Sequence, residues 1–350
     1  MNSRQFDGHW TAFGFSKWKR GFILGFLGQS ATVHFVEHAR DLPAGGQWLV
    51  WSSKVTPEIE ALADEQGASL WRMEDGFIRS VGLGLDMVPP LSLVMDSRGM
   101  YYDATRASDL EWMLQHEVFP QDLLSRAARL SAALVESGVT KYNVGRKKAS
   151  MDVPQGKPVL LVPGQVETDA SIQFGALKWR TNTELLQQVR ERNPQAFIIY
   201  KPHPDLLSGG RGGDAGIKNA TAFADRVVSG VSMSELLKQV DEVHTLTSLT
   251  GFEALLRGVS VTTYGLPFYA GWGLTTDLLD CSRRNRCLAL NELVAASLIL
   301  YPRYVDPQTG DLISPEQAVA LLQRDLGKVR KAPLAKRISR LWERLMGIQQ

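Results

Sequence analysis

The chain has 350 residues, 44% of them hydrophobic and 22% charged, and a formal net charge of +2. That length suits two domains of roughly 150 residues each, the apolar fraction excludes wholesale disorder, and the near balance of charge leaves no footprint for nucleic acid. Two cysteines, Cys281 and Cys287, are too few for a disulfide framework and read as reduced thiols of a cytoplasmic protein. No apolar run approaches the ~20 residues of a membrane span. The run at 22–27 behind Lys17, Lys19 and Arg20 mimics a signal peptide, but it is short and lacks a cleavage site, so it reads as part of a helix.

Residues 1–14 carry little signal, and 15–26 are helix-compatible. Residues 32–36 and 48–51 read as strands, 57–66 as a helix opening on Pro57, and 69–73 as a strand breaking into a turn at Glu74-Asp75-Gly76. This alternation predicts a doubly wound unit. A short strand at 91–95 and helices at 110–115 and 121–137 follow, the second ended by Gly138, and then comes Lys141-Tyr142-Asn143. The polar stretch 147–157, with Pro154 and Gly156, is the expected domain linker.

The second half opens on the apolar run 159–163, which breaks into Gly164-Gln165-Val166-Glu167-Thr168-Asp169-Ala170-Ser171. A helical segment leads to a second apolar run at 196–200, which breaks into Lys201-Pro202-His203-Pro204-Asp205. This is a βαβ unit of a parallel sheet, and ligands of such sheets bind beyond the carboxyl ends of the strands. Both polar clusters therefore line one crevice suited to a charged, oxygen-rich substrate. The glycine-rich loop 208–213 has neither the strand nor the Gly-Lys-Ser/Thr of a phosphate cradle. Strands are expected at 242–245 and 259–264, and between them Thr247, Ser248 and Thr250 open a helix whose N-terminus attracts an anion. From 324 to 344 eight basic residues face Asp325 and Glu343, while Leu334, Ile338, Leu341 and Leu345 share one helix face. Such a helix docks on the protein or lies on an anionic membrane surface.

Each constellation also has a structural reading. Asp169 is placed to cap a helix, Thr250 with Glu253 forms a capping box, and Glu74-Asp75-Gly76 makes a turn. His203, bracketed by prolines, is harder to explain structurally. Neither His203 nor His244 has acidic partners at ligand spacing, so no metal site is expected.

Taken together, residues 74–84 (EDGFIRSVGLG), Lys141-Tyr142-Asn143, 165–172 (QVETDASI), 200–205 (YKPHPD), 247–255 and 267–275 (PFYAGWGLT) resemble the capsule polysaccharide β-Kdo transferases of the KpsC/LipB family. The resemblance implies an α/β GT-B fold, two Rossmann-like domains facing across a cleft. Residues 1–150 would form the acceptor-side domain, 151–305 the CMP-sugar domain, and 306–350 terminal helices with the basic tail. It implies transfer of Kdo (3-deoxy-manno-octulosonate) from CMP-β-Kdo to a Kdo-containing glycolipid, primed on a phosphatidylglycerol-type lipid at the inner-membrane surface, with no cofactor or metal. KpsC is similar to two such modules in tandem. The Gln-Val-Glu-x-Asp-Ala-Ser form looks more like the second, which implies a 2,7 linkage.

Carried over by position, Asp169 is the nucleophile of a covalent, retaining route, and Glu74 is the base for the acceptor hydroxyl. His203 and Lys201 face the phosphate, Ser248 and Thr250 bind it, Glu253 accepts from the ribose, and Arg79 or another basic group pairs with the Kdo carboxylate. The motif residues Gln165, Ser171, Pro204, Thr247 and Asn143 are carried over as substrate-binding. Inverting transfer with Glu74 or Asp75 as base, a nucleotide-sugar epimerase, and a non-catalytic binding protein stand as alternatives.

Overall fold

The computed structural model describes residues 6–80, 88–139, 153–204 and 219–331. Asn143, most of the expected linker, the glycine-rich loop and the tail beyond 331 lie outside the described residues.

The first unit runs β1 (Gly8–Phe13), α1 (Lys17–Leu27), β2 (Ala31–Val36), β3 (Gln47–Trp51), α2 (Pro57–Gln66), β4 (Ser69–Asp75), β5 (Ser92–Asp96), α3 (Asp109–His116) and α4 (Gln121–Ser137). Local chemistry sets these ends. Ser16 accepts from the Lys19 amide to start α1, Pro57 opens α2, and Gly67 closes it in the left-handed region at φ 64°. β2, β1, β3 and β4 pair in parallel in that order, and β5 adds antiparallel to β4. β1 occupies the stretch that carried little signal. Trp10 and Ala12 are buried on one face of it, with less buried residues between them.

The second unit runs β6 (Val159–Pro163), α5 (Ala170–Gly175), α6 (Asn182–Arg192), β7 (Phe197–Lys201), β8 (Arg226–Val227), α7 (Met233–Leu236), β9 (Glu242–Thr245), α8 (Leu249–Leu255), β10 (Ser260–Thr263), β11 (Thr276–Asp277) and α9 (Leu290–Val294). Its six strands are all parallel, in the order β11-β10-β9-β6-β7-β8. Continuous burial of the β6 run, Val159 to Pro163, is what a strand covered on both faces requires.

The chain then returns to the first sheet. β12 (Pro302–Val305) pairs antiparallel with β5, β13 (Leu312–Ile313) pairs with β12, and α10 (Pro315–Lys331) packs beside them. Residues 302–305, placed with the second domain by sequence, therefore belong to the first sheet, because β5 leaves its outer edge open to them.

One apolar core joins the two units. It runs from Phe77 and Val94 through α3, α4 and α9 to Leu161, Val243, Phe252, Phe268 and Trp272. Beside it, buried Glu111 of α3 accepts from Arg284 Nε at 2.9 Å and Arg283 Nε at 2.7 Å, both from the segment after β11. The two sheets are thus held with their strand ends facing across one cleft.

Candidate active site

That cleft is a cavity of about 420 Å³, within the usual range for a small-molecule site. Ser53, Glu74, Asp75, Phe77, Tyr101 and Tyr102 line it from the first unit. The second unit contributes three loops at the ends of β6, β7 and β9. These, with the end of β7 and the starts of α5 and α8, carry Gln165, Asp169 and Ser171; Lys201, His203 and Pro204; and Thr247, Ser248, Thr250 and Glu253.

Glu74 and Asp75 are the last two residues of β4, opposite Val94 and Leu93 of β5, rather than a turn. The antiparallel partner extends the strand, and Gly76 is then pressed against Ser92, where a Cβ would overlap the serine side chain. Glu74 is half-buried. Its Oε2 accepts the Ser52 hydroxyl, and its Oε1 accepts the Asp75 amide at 3.0 Å. Burial, and then the neighbouring Asp75 charge, raise the Glu74 carboxyl above the ordinary carboxylate range. Such a group suits a proton acceptor better than an ordinary glutamate.

The sign of that shift makes a stability expectation. A raised folded-state pKa means that the stability held below the ordinary carboxylate pKa of 4.5 is lost as pH rises through the shifted value. Glu74→Gln should therefore raise Tm over wild type at pH 7–8, with the difference shrinking toward pH 4.5 in a thermal-melt series. A Tm lowered equally at every pH would contradict this.

Arg79 does not line the cavity. It is 3% exposed, donates from Nε to Asp75 Oδ2 at 2.7 Å, and donates from Nη1 to Ser80 Oγ at 2.9 Å. Its role here is to hold Asp75, and the carboxylate-binding role expected for it has no access to the cleft in this arrangement.

Asp169 occupies the N-cap of α5, yet its side chain makes no capping hydrogen bond. The helix is started by the Asp169 carbonyl, which accepts from Ile172 and Gln173 at 3.0 Å each. Capping thus does not account for the carboxylate, which lines the cleft. Glu167 is structural by contrast. Its Oε1 accepts from the Asn182 amide at 2.8 Å and the Asn182 Nδ2 at 3.0 Å.

Gln165 is mostly engaged with protein. Its Nε2 donates to Thr247 Oγ1 at 2.9 Å, and its Oε1 accepts the Thr247 amide at 3.0 Å. This clasp ties the loop after β6 to the loop after β9, so Gln165 and Thr247 position the other residues. Gly164 permits a similar approach to the loop after β7. A Cβ there would lie 2.6 Å from the Tyr200 hydroxyl and 3.2 Å from the His203 amide.

Ser248, not Thr250, caps α8. Its Oγ accepts from the Thr250 amide at 3.2 Å, while Glu253 lies within the helix and reaches the cavity one turn on. The Tyr269 hydroxyl, donating to the Ser248 carbonyl at 2.5 Å, fixes this start. Burial lowers the pKa of Lys201 at the end of β7. One wall of the cleft thus presents a lysine, a histidine and two hydroxyls, groups that suit a phosphate. Ser53, Phe77, Tyr101, Tyr102 and Phe268 were missed by sequence reasoning. Phe77 and Phe268 lay in stretches already singled out, 74–84 and 267–275. Among the described residues no group of three or more His, Cys, Asp and Glu could hold a metal ion, and no helix is long and apolar enough to cross a membrane.

Two Rossmann-like units facing across a cleft that both line are the GT-B architecture of glycosyltransferases. Residues 50–304 match the family described as "Capsule polysaccharide biosynthesis protein", and the chain belongs to that family. It is 46% identical over 318 residues to the capsule polysaccharide modification protein LipA of Neisseria meningitidis serogroup A, covering 89% of this chain but 45% of LipA. It is 39% identical to the lipopolysaccharide-processing protein LpsZ of Rhizobium meliloti, covering 79% of this chain and 63% of LpsZ. The chain thus spans about half to two-thirds of these curated relatives. Two solved structures from Thermosulfurimonas dismutans KpsC are similar. The β-Kdo 2,7 transferase has 40% identity and TM-score 0.75, covering 91% of this chain and 99% of that one. The β-Kdo 2,4 transferase has 32% identity and TM-score 0.78, covering 89% and 98%.

Proposed function

We propose that this chain is a glycosyltransferase of capsule synthesis that moves Kdo from CMP-β-Kdo to a Kdo-containing glycolipid or oligosaccharide, with retention and without a metal. The observation that carries the reading is one cavity lined by Asp169 and the Lys201, His203, Ser248, Thr250 and Glu253 wall on one side, and by Glu74 on the other. The similarity to Kdo transferases at 40% and 32% identity supports the sugar.

The Asp169 carboxylate attacks the anomeric carbon, and the bond to the CMP phosphate breaks with its electron pair leaving on the phosphate. Lys201, His203, Ser248 and Thr250 stabilise the charge that develops there, while Glu253 orients the ribose. The acceptor hydroxyl then gives its proton to Glu74 and attacks the Kdo–aspartyl ester, releasing the Asp169 carboxylate. Two inversions leave the configuration retained, as in retaining glycosidases. Glu74 suits the second step because its raised pKa brings it toward the working pH.

The linkage reading is 2,7. Identity favours the 2,7 enzyme, 40% against 32%, whereas the TM-scores of 0.75 and 0.78 lean slightly the other way. Side-chain identity weighs more, because acceptor choice depends on side chains rather than on backbone superposition. The acceptor is a lipid-linked Kdo at the inner-membrane surface. Incubation with CMP-Kdo and a soluble Kdo-terminated acceptor, read by linkage NMR, should give a β-Kdo product joined at O7. An α-linked product would overturn retention in favour of the inverting route. A 2,4 product would overturn the linkage, and absence of any new glycosidic bond would overturn the transferase reading.

A further inference from the structure

A hydroxyl group reaches Glu74 that the transfer scheme leaves unused. Ser52, 8% exposed just after β3, donates its only hydroxyl hydrogen to Glu74 Oε2. Tyr102 lines the cleft from the loop after β5.

The same loop touches the far side of the cleft. The Ala104 amide donates to the Phe174 carbonyl of α5 at 3.2 Å, and a Cβ on Gly175 would lie 3.1 Å from the Tyr102 carbonyl oxygen. α5 is the helix that Asp169 begins. That short loop therefore grips the helix carrying one cleft carboxylate. The neighbouring Tyr101 hydroxyl, 3.1 Å from the Asp75 carbonyl, holds the end of β4 as well.

We infer that Ser52 is a positioning residue for Glu74. Its hydroxyl fixes the carboxylate for proton acceptance. This rests on the reading of Glu74 as base. Ser52→Thr keeps a hydroxyl at this position, so rescue by it separates positioning of the carboxylate from packing.

The groups facing Glu74 are Asp75 on its own strand, Lys19 from α1, and Tyr102 with Ser52 from the first unit; Arg79 is already paired with Asp75. The Ser52 hydroxyl stabilises the ionised carboxylate, so removing it should raise the pKa of Glu74 further.

The test is steady-state transfer across pH for wild type, Ser52→Ala, Ser52→Thr and Glu74→Gln, each first shown to melt cooperatively. Ser52→Ala should lower kcat about 10- to 100-fold, part of the 10²–10⁴-fold worth of a general base. KM for CMP-Kdo should change less than about 2-fold, and the acid limb of the kcat/KM profile should move to higher pH. Ser52→Thr should keep kcat within a few-fold of wild type. If Glu74→Gln is inactive but Ser52→Ala moves neither kcat nor the acid limb, the inference is overturned and the base remains. If Glu74→Gln keeps full activity, the reading of Glu74 itself fails.

Discussion

Asp169→Ala should abolish Kdo transfer, by at least ~10³-fold, the scale on which losing a nucleophile is felt, while leaving CMP affinity within a few-fold of wild type. The expectation follows from the division of labour in the cleft. The proposed phosphate and ribose contacts, Lys201, His203, Ser248, Thr250 and Glu253, come from the loops after β7 and β9, whereas Asp169 comes from the loop after β6. Removing its carboxylate takes no capping bond from α5, because the helix begins on the Asp169 carbonyl. Asp169→Asn is the closer variant, with the same shape but no nucleophilic charge, and should be equally inactive. Calorimetric titration with CMP beside a transfer assay checks both halves. A variant that transfers at a tenth of the wild-type rate would show that another group attacks the sugar.

Glu111→Leu carries the largest expected cost in stability, about 3–5 kcal/mol, because it strips one partner from a buried ion pair. Glu111 and Arg284 are 6% and 3% exposed at their side chains, with 2.9 Å between Nε and Oε2. Arg284 would keep its bonds from Nη1 to the Pro267 carbonyl at 2.6 Å and the Ala270 carbonyl at 2.9 Å, yet its charge would have no counterpart. Those carbonyls belong to the loop that presents Pro267 and Phe268 to the cleft. The variant should lower the urea midpoint and also weaken transfer. Leu at 111 combined with Arg284→Met should recover much of the stability, since an apolar pair replaces a desolvated charge. A single variant as stable as wild type would show that the pair does not hold the units together.

Much of the second unit was legible because its signals are local. Short β-branched runs ending in polar clusters mark parallel strands whose tips share one edge. For that reason Asp169, Ser171, Lys201, His203 and Pro204 could be assigned to one crevice, the family resemblance added Ser248, Thr250 and Glu253, and all of them line it. What stayed hidden depends on distant partners. Glu74 and Asp75 read as a turn because their strand conformation is imposed by Val94 and Leu93 of β5. β12 joins the first sheet across some two hundred residues of chain, beside β5, with nothing local to announce it. Ser52 and Tyr102 flank the site without any motif, since a hydroxyl's partner is chosen by the fold. Arg79 shows the reverse error. Its motif position suggested a ligand contact, but its pairing with Asp75 and its burial give it a protein partner instead.

The most direct measurement is intact-protein mass after exposure to CMP-Kdo without acceptor, on wild type and Asp169→Ala, using Glu74→Gln to slow turnover. The account predicts one added Kdo residue on Glu74→Gln, mapped to Asp169 by peptide sequencing and absent when Asp169 is replaced. An unmodified Glu74→Gln protein that still binds donor, or an adduct that persists without Asp169, would contradict it.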